Sequence, residues 1–366
     1  MAQLDQVDIR TAPVNQTRES VIQGIVDISR IPLPFADSIG SGSHSNPKHE
    51  WSCDRLADPD TTNAVTDGST ATTPTQVPAI RLGNHAQISQ KTVGTSTRVE
   101  STATHSNESL ARYVQKATQE LMRDCEAISL LNQASVKDTG VGGTAGKTAG
   151  LEAWIDEKVA NQGAAAKSPL PFVDASGELT MTAAGSLGGW STGTDHVFSG
   201  VDYTALTTAG QGSFASLKGI LQALFELGAM PTKIMARNDV ITALSSFMFT
   251  STAQIATLQR DKGEGGAAQA QSSVNQIIDD NGIIVDLITN RLMQLSGDGT
   301  PTCNTLFAYD PSSFAISTQG GGIRSKELPV SGLGRAIQIH KDWMLTVNNP
   351  DALGAYICLD GGAWAA

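Results

Sequence analysis

LARYVQKATQELMRDCEAISLL (Leu110–Leu131) places Leu110, Val114, Ala117, Leu121, Cys125, Ile128 and Leu131 at steps of three and four residues. That spacing lines one face of an α-helix. Ser106 or Asn107 stands where a side-chain oxygen can cap the first turn. About 25 residues at 1.5 Å each make a rod of roughly 40 Å. The stripe lasts little more than three heptads and its flanking charges are thin, so core packing explains it better than a coiled-coil seam.

Upstream of the helix the pattern changes. Residues 33 to 103 hold only twelve large apolar side chains, too few to offset their own ordering entropy without help from other surfaces. Within them Ile80, Leu82, Ala86 and Ile88 alternate with Arg81, Gly83, His85, Gln87 and Ser89, the period of a strand with one wet face. Trp51 and Cys53 alternate with Glu50, Ser52 and Asp54 and form the expected partner strand. The Thr/Pro/Gly tract 57–78 then becomes the tip of a long hairpin. Residues 1–32 read as a mixed-charge arm, with a short helix over Val21 to Ile28 and an end at Pro32 and Pro34.

Downstream, residues 135–212 contain 14 of the 36 glycines and are expected to be an irregular insertion with short strands, anchored by Trp154, Trp190 and Phe198. A helix from Ser213 carries Phe214, Leu217, Ile220, Leu221, Leu224 and Phe225, and stops at Gly228. A strand (Lys233 to Ala236), a helix (Asn238 to Phe249) and a strand around Ile283 to Leu287 follow, so this part mixes α and β. Ile337, Ile339, Trp343, Leu345 and Val347 share one parity against Gln338, His340, Asp342 and Thr346, a long half-buried strand or two joined near Lys341. Ala355 to Leu359 is expected to pair back beside it after the Asn348-Asn349-Pro350 turn.

Composition limits the function. The chain of 366 residues has 25 Lys+Arg against 36 Asp+Glu, a formal charge of −11, opposite in sign to a duplex-binding footprint. No apolar run is long enough to span a bilayer, and MAQLDQVDIR has no apolar core of an export signal, which predicts synthesis in the cytosol. Cys53, Cys125, Cys303 and Cys358 form no CxxC pair and read as reduced thiols.

The motifs that resemble chemistry lack its context. VGGTAGKT (Val141–Thr148) has Val141 where a phosphate-binding loop needs glycine, and no strand leads into it. GWSTG (Gly189–Gly193) matches GxSxG around Ser191, with His340 as a nominal base, yet it lacks the strand and helix of a nucleophile elbow. His44, His49, Glu50 and Cys53 have a spacing that matches no metal site, and Asp58-Pro59-Asp60 lacks the glycine and glutamate of a calcium loop. The expectation is no catalytic residue, no cofactor and no metal.

PLPFADSIGSG with HEWSCDRL (Pro32–Leu56), RLGNHAQIS with TVGTS (Arg81–Ser96) and QELMRDCEAISLLN (Gln119–Asn132) resemble the tailed-phage major capsid proteins, whose fold was first seen in phage Hong Kong ninety-seven. MPTKIMARNDVITALSSF (Met230–Phe247), LFAYDPSSFAI (Leu306–Ile316) and HKDWMLTVNNPDALGAYICL (His340–Leu359) extend the resemblance, which is closest to the SU-ten-like major head proteins.

The resemblance implies an α+β phage major capsid fold. Its parts would be an N-terminal arm (1–32), an extended β-hairpin loop (33–103), the spine helix of a peripheral domain (104–134), a Gly-rich insertion (135–204), an axial domain (205–330) and peripheral return strands beneath the spine helix (331–366). It implies hexamers and pentamers closing an icosahedral shell, with a scaffolding protein, a portal and a cement protein as partners. Contact with packaged double-stranded DNA would be weak and non-specific, with no membrane involved, and the chain would be made in the host bacterial cytoplasm and end in the virion. Trp51, Ile80, Arg81, Leu82, Asn84 and Ile88 are the candidate inter-subunit contacts. Some relatives weld subunits by a Lys–Asn bond near the extended loop; Lys48 and Lys91 are the lysines here, and non-covalent joining is expected. A tail-tube or fibrous virion protein, or a serine hydrolase using Ser191, are the other readings.

Overall fold

The structure is a computed structural model. It describes residues 32–53, 60–70, 80–101, 109–131, 133–154, 170–173, 179–182, 214–226, 228–248, 274–293, 304–329, 332 and 334–359. Expectations for the arm before residue 32, and for Ser106, Asn107, Trp190, Ser191 and Phe198, lie outside these residues.

The first strands are β1 (Gly40–Ser43), β2 (Lys48–Cys53), β3 (Ile80–His85) and β4 (Gln87–Ser96), followed by the helices α1 (Thr97–Ser101) and α2 (Leu110–Ser129). A single 3-10 turn at Leu151–Trp154 precedes β5 (Leu170–Val173) and β6 (Leu179–Thr182). Next come α3 (Phe214–Glu226), β7 (Lys233–Ala236), α4 (Asn238–Met248), β8 (Gln276–Ile278) and β9 (Ile284–Thr289). The chain closes with β10 (Asn304–Tyr309), β11 (Phe314–Glu327), β12 (Gly334–Val347) and β13 (Leu353–Leu359). Three sheets result, with orders β1-β11-β12-β4, β13-β10-β7-β9-β8 and β2-β3-β5-β6.

The chain divides into two compact units. The smaller contains Lys91–Gln119 and Ser325–Ile339, and buries Leu110, Ala117 and Ile339. Here Ser109 caps α2: its Oγ accepts from the Arg112 amide at 3.4 Å, and its carbonyl from the Arg112 and Tyr113 amides. Arg335 pairs with Glu327 at 3.0 Å in the same unit.

The larger unit holds Pro32–Gln90, Glu120–Arg324 and His340–Ala366, and a continuous apolar core. Phe35, Tyr309 and Phe314 meet edge to face at its centre, with ring centroids 5.7 and 6.0 Å apart. The Tyr309 hydroxyl, 2.8 Å from Ser38 Oγ, is pushed up to about 12 by burial. Helix α3 ends as its sequence predicts: the Gly228 amide donates to Phe225 O and the Ala229 amide to Leu224 O, with Gly228 at φ +86°, a left-handed cap that a side chain would strain.

Several expectations are corrected. The helix over 110–131 is shorter: α2 has 20 residues, about 30 Å, because Leu130 and Leu131 bond three residues back and close it. Residues 33–103 draw part of the help they need from the chain's own core: Leu33, Phe35 and Leu82 are buried, and Phe35 and Leu82 belong to it. The single strand expected over 80–89 is two, and its parity breaks at Ala86: Gly83, His85 and Ser89, expected on the wet face, are buried, while Ile88 is 59% exposed.

The Gly-rich region begins as part of the core rather than as an insertion. Ala149, Leu151, Ala153 and Trp154 are sealed, and β5 and β6 extend the β2-β3 sheet. The late strand β12 is continuous, but Met344 and Thr346 are buried along with Trp343, Leu345 and Val347, so both its faces are covered there. Finally, β13 pairs antiparallel with β10 instead of β12, because the 3-10 turn Pro350–Ala352 redirects the chain into the other sheet. In β11, Gly320, Gly321 and Gly322 have φ of +63°, +91° and +103°, a left-handed run that only glycine adopts without strain, and Arg324 donates back to the carbonyls of Gln319 and Gly320.

Candidate functional site: the β2-β3 ladder and its anchors

The alternating residues that singled out 48–53 and 80–85 form an antiparallel ladder, with Trp51 opposite Leu82, Ser52 opposite Arg81 and Cys53 opposite Ile80. Trp51 is half-buried. Its ring lies 5.7 Å from Trp154 and 5.9 Å from His49, so one indole ties the ladder to the 3-10 turn. On the solvent side Glu50 gathers two cations, Lys48 at 2.7 Å and Arg81 at 3.5 Å. Cys53 Sγ donates to Asn348 O at 3.0 Å.

Behind the ladder sits Asn84, fully buried, with every hydrogen-bonding position of its amide used. Nδ2 donates to Thr148 Oγ1 at 3.0 Å and to Leu345 O at 2.7 Å; Oδ1 accepts from the His85 and Ala149 amides at 2.9 Å. Thr148 Oγ1 also accepts from the Leu345 amide at 3.1 Å. The threonine of the phosphate-loop look-alike is thus a buried structural clip, and the glycines before it make a turn whose flanks bond Val136 to Lys147.

The six contact candidates therefore separate. Leu82 and Asn84 lie within the chain's own fold and leave almost no side-chain surface for a neighbour, since the apolar face that carries Leu82 packs into the chain's own core and Asn84 is buried with it. Trp51 is half-covered, Arg81 has 53% of its side chain exposed, Ile88 faces solvent, and Ile80 enters through its backbone pairing with Cys53.

Sequence reasoning missed a second anchor. Glu126, buried on α2 beside the apolar stripe, accepts from the Phe35 amide (2.8 Å) and Asn290 Nδ2 (2.9 Å) on Oε1, and from the Ala36 amide (2.9 Å) on Oε2. A single carboxylate thereby joins the start of the described chain, the helix and the residue after β9. Burial pushes its pKa up, and the three donors pull it back. Nothing in the sequence sets Glu126 apart from Glu120 and Asp124 of the same helix. Cys125 is itself sealed, which pushes its thiol up to about 11.

His44 forms a third buried polar feature. Its Nε2 lies 3.7 Å from Asp342 Oδ1, and neither ring nitrogen has a hydrogen-bond partner among the described residues. Desolvation lowers its pKa, the Asp342 carboxylate opposes that, and His49 adds to it. His44, His49, Glu50 and Cys53 do not converge, and no group of three or more metal-ligating side chains exists among the described residues. No described helix is long and apolar enough to cross a membrane.

The family model described as SU10 major capsid protein matches residues 7–359. The chain belongs to the SU10 major capsid protein family. Its structure is similar to the capsid of a native GTA particle, with a TM-score of 0.57 at 12% identity over 96% of this chain and 98% of that one. It is also similar to the capsid of cyanophage P-SCSP1u, with a TM-score of 0.54 at 9% identity over 93% of this chain and 92% of that one. The SrpI encapsulin of Synechococcus elongatus gives a TM-score of 0.54 at 10% identity over 100% and 99%. No curated protein matches the sequence. The fold is that of phage capsid proteins, mixed α and β as expected, and this SU10-family protein is a tailed-phage major capsid protein, a structural component of the virion shell and not an enzyme. It acts by assembling with copies of itself into a shell, and the family match sets aside the tail-tube, fibre and Ser191 hydrolase readings.

Proposed function

We propose that copies of this chain close as hexamers and pentamers into an icosahedral shell around packaged double-stranded DNA. The family match running from residue 7 to residue 359 carries this reading. In it, residues 1–32 are an arm, 104–134 carry the spine helix, 205–330 the axial domain and 331–366 the peripheral return strands. Residues 60–70, exposed throughout, are the outer part of the extended loop assigned to 33–103, and 135–204 connect helix to axial domain.

Trp51 stiffens the base of that loop through Trp154 and His49, and Arg81 and Ile88 present its outer surface to a neighbour. Assembly proceeds on a scaffolding protein with a portal at one vertex, in the host bacterial cytoplasm. The charge of −11 keeps phosphate contacts weak, so packaged DNA slides along the inner wall.

Electron microscopy of the purified chain at high concentration tests the reading. Closed spherical shells with five- and six-fold clusters are expected; helical rods, or a monodisperse monomer under every assembly condition, refute it.

A further inference from the structure

Strands β8 and β9 are joined by Asp279-Asp280-Asn281-Gly282-Ile283, a tight hairpin loop between the paired residues Ile278 and Ile284. The Gly282 amide donates to Asp279 O at 2.8 Å and the Asp279 amide to Ile283 O at 2.9 Å. Gly282 has φ +78°, the left-handed residue with which such a loop rejoins its strand. The loop holds the one Asn–Gly dipeptide in the sequence, and Asn281 and Gly282 are both exposed to water.

An asparagine followed by glycine is chemically labile, because no Cβ on the second residue keeps its amide away from the first residue's side chain. In the reaction Gly282 N forms a bond to Asn281 Cγ and gives up its proton to water. The Cγ–Nδ2 bond breaks, and Nδ2 takes up a proton and leaves as ammonia. Water then opens the succinimide to aspartate or isoaspartate, so the net change is a water consumed and an ammonia released.

Both reacting groups are held by one residue. Asp279 is only 6% exposed; its Oδ2 accepts from Asn281 Nδ2 at 2.7 Å, while its carbonyl takes the Gly282 amide. Ring closure requires Asn281 Cγ to turn onto Gly282 N, which breaks the first bond and displaces the second. Lys218 Nζ, bound to both carboxylate oxygens of Asp280 at 2.9 and 3.1 Å, pins the residue between them. We propose that Asn281 is a latent deamidation site and that Asp279 keeps it closed. The same geometry makes the product disruptive: a carboxylate at 281 sets an anionic oxygen where Nδ2 stood, against Asp279 Oδ2, and the two repel.

The test uses the full chain as dispersed subunits, so its outcome is independent of shell assembly. Chains are aged at mildly alkaline pH, folded or in guanidinium chloride, and the peptide containing Asn281 is followed by mass spectrometry for conversion of amide to acid and for isoaspartate. Conversion at least tenfold slower in the folded wild type than in guanidinium chloride is expected. Asp279→Ala is expected to raise the folded rate at least fivefold, and Asp279→Asn, which keeps an acceptor for Asn281 Nδ2, to stay within twofold of wild type. Equal rates in folded and denatured wild type, an alanine variant as slow as wild type, or an asparagine variant as labile as the alanine one, each overturn the inference. Should Asp279→Ala not fold, the comparison of folded with denatured wild type and the asparagine variant decide.

Discussion

Replacing Asn84 with alanine separates an internal anchor from a surface contact. The substitution removes two donated and two accepted hydrogen bonds. The partners are not equally dependent on it. The His85 amide keeps Ser135 Oγ at 3.0 Å, and Thr148 Oγ1 keeps the Leu345 amide, but the Ala149 amide loses its acceptor in a fully buried site. About 1 kcal/mol for each of the four lost bonds, with a further 1–2 kcal/mol for the stranded amide, gives a destabilisation of roughly 5–6 kcal/mol. Most of a typical domain's margin would disappear. Urea denaturation of the dispersed subunit, followed by tryptophan fluorescence, reads the change directly. Thr148→Val attacks the same network from the other side, so the double variant is expected to cost less than the sum of the two singles. An Asn84→Ala subunit within about 0.5 kcal/mol of wild type, but defective in assembly, would show that Asn84 acts at an interface and that the buried network is energetically idle.

Two other outcomes follow from the same geometry. His44 has a lowered pKa in the fold, so the unfolded chain binds its proton first; stability is present above about pH 6.5 and declines as pH falls through the folded value. Thermal melts across that window are expected to show the decline in wild type and a shallower one in His44→Asn, and identical slopes would disprove the assignment. Trp51→Ala removes a half-buried indole and its stack on Trp154, a loss of about 2–3 kcal/mol that leaves a soluble subunit with impaired shell formation; shells of wild-type yield and melting temperature would count against the stiffening role.

The elements legible in the sequence are those whose partners are close in the chain or whose one face meets water. Helices α2, α3 and α4 have that signature, and the Trp51-Leu82 pairing follows from two short alternations. Periodicity fails where both sides of a strand are covered. Leu306 to Tyr309 is buried at every position and carries no alternation, so β10 is silent to a pattern search. Its partner β13 was assigned to the wrong neighbour because strand pairing is a choice between distant segments, and no local residue encodes it. The anchors were hidden for a similar reason. Asn84 and Glu126 are polar residues whose partners lie 64 to 261 and 90 to 164 positions away, and their burial is decided by those partners. Nothing beside His44 in the sequence signals that its side chain is sealed, 3.7 Å from the distant Asp342 carboxylate.

The left-handed glycine run in β11 constrains the gene as well as the strand. At residue 320 a methyl group would meet only the tip of the exposed Arg324 side chain, which can swing aside, and at 321 and 322 the space is open, so at all three it is the left-handed backbone that penalises a side chain. Three adjacent codons are therefore biased against missense change for one shared conformational reason, at about 1–2 kcal/mol per substituted position. A library saturating this interval is expected to return wild-type codons at all three, with Asn the least damaging exception.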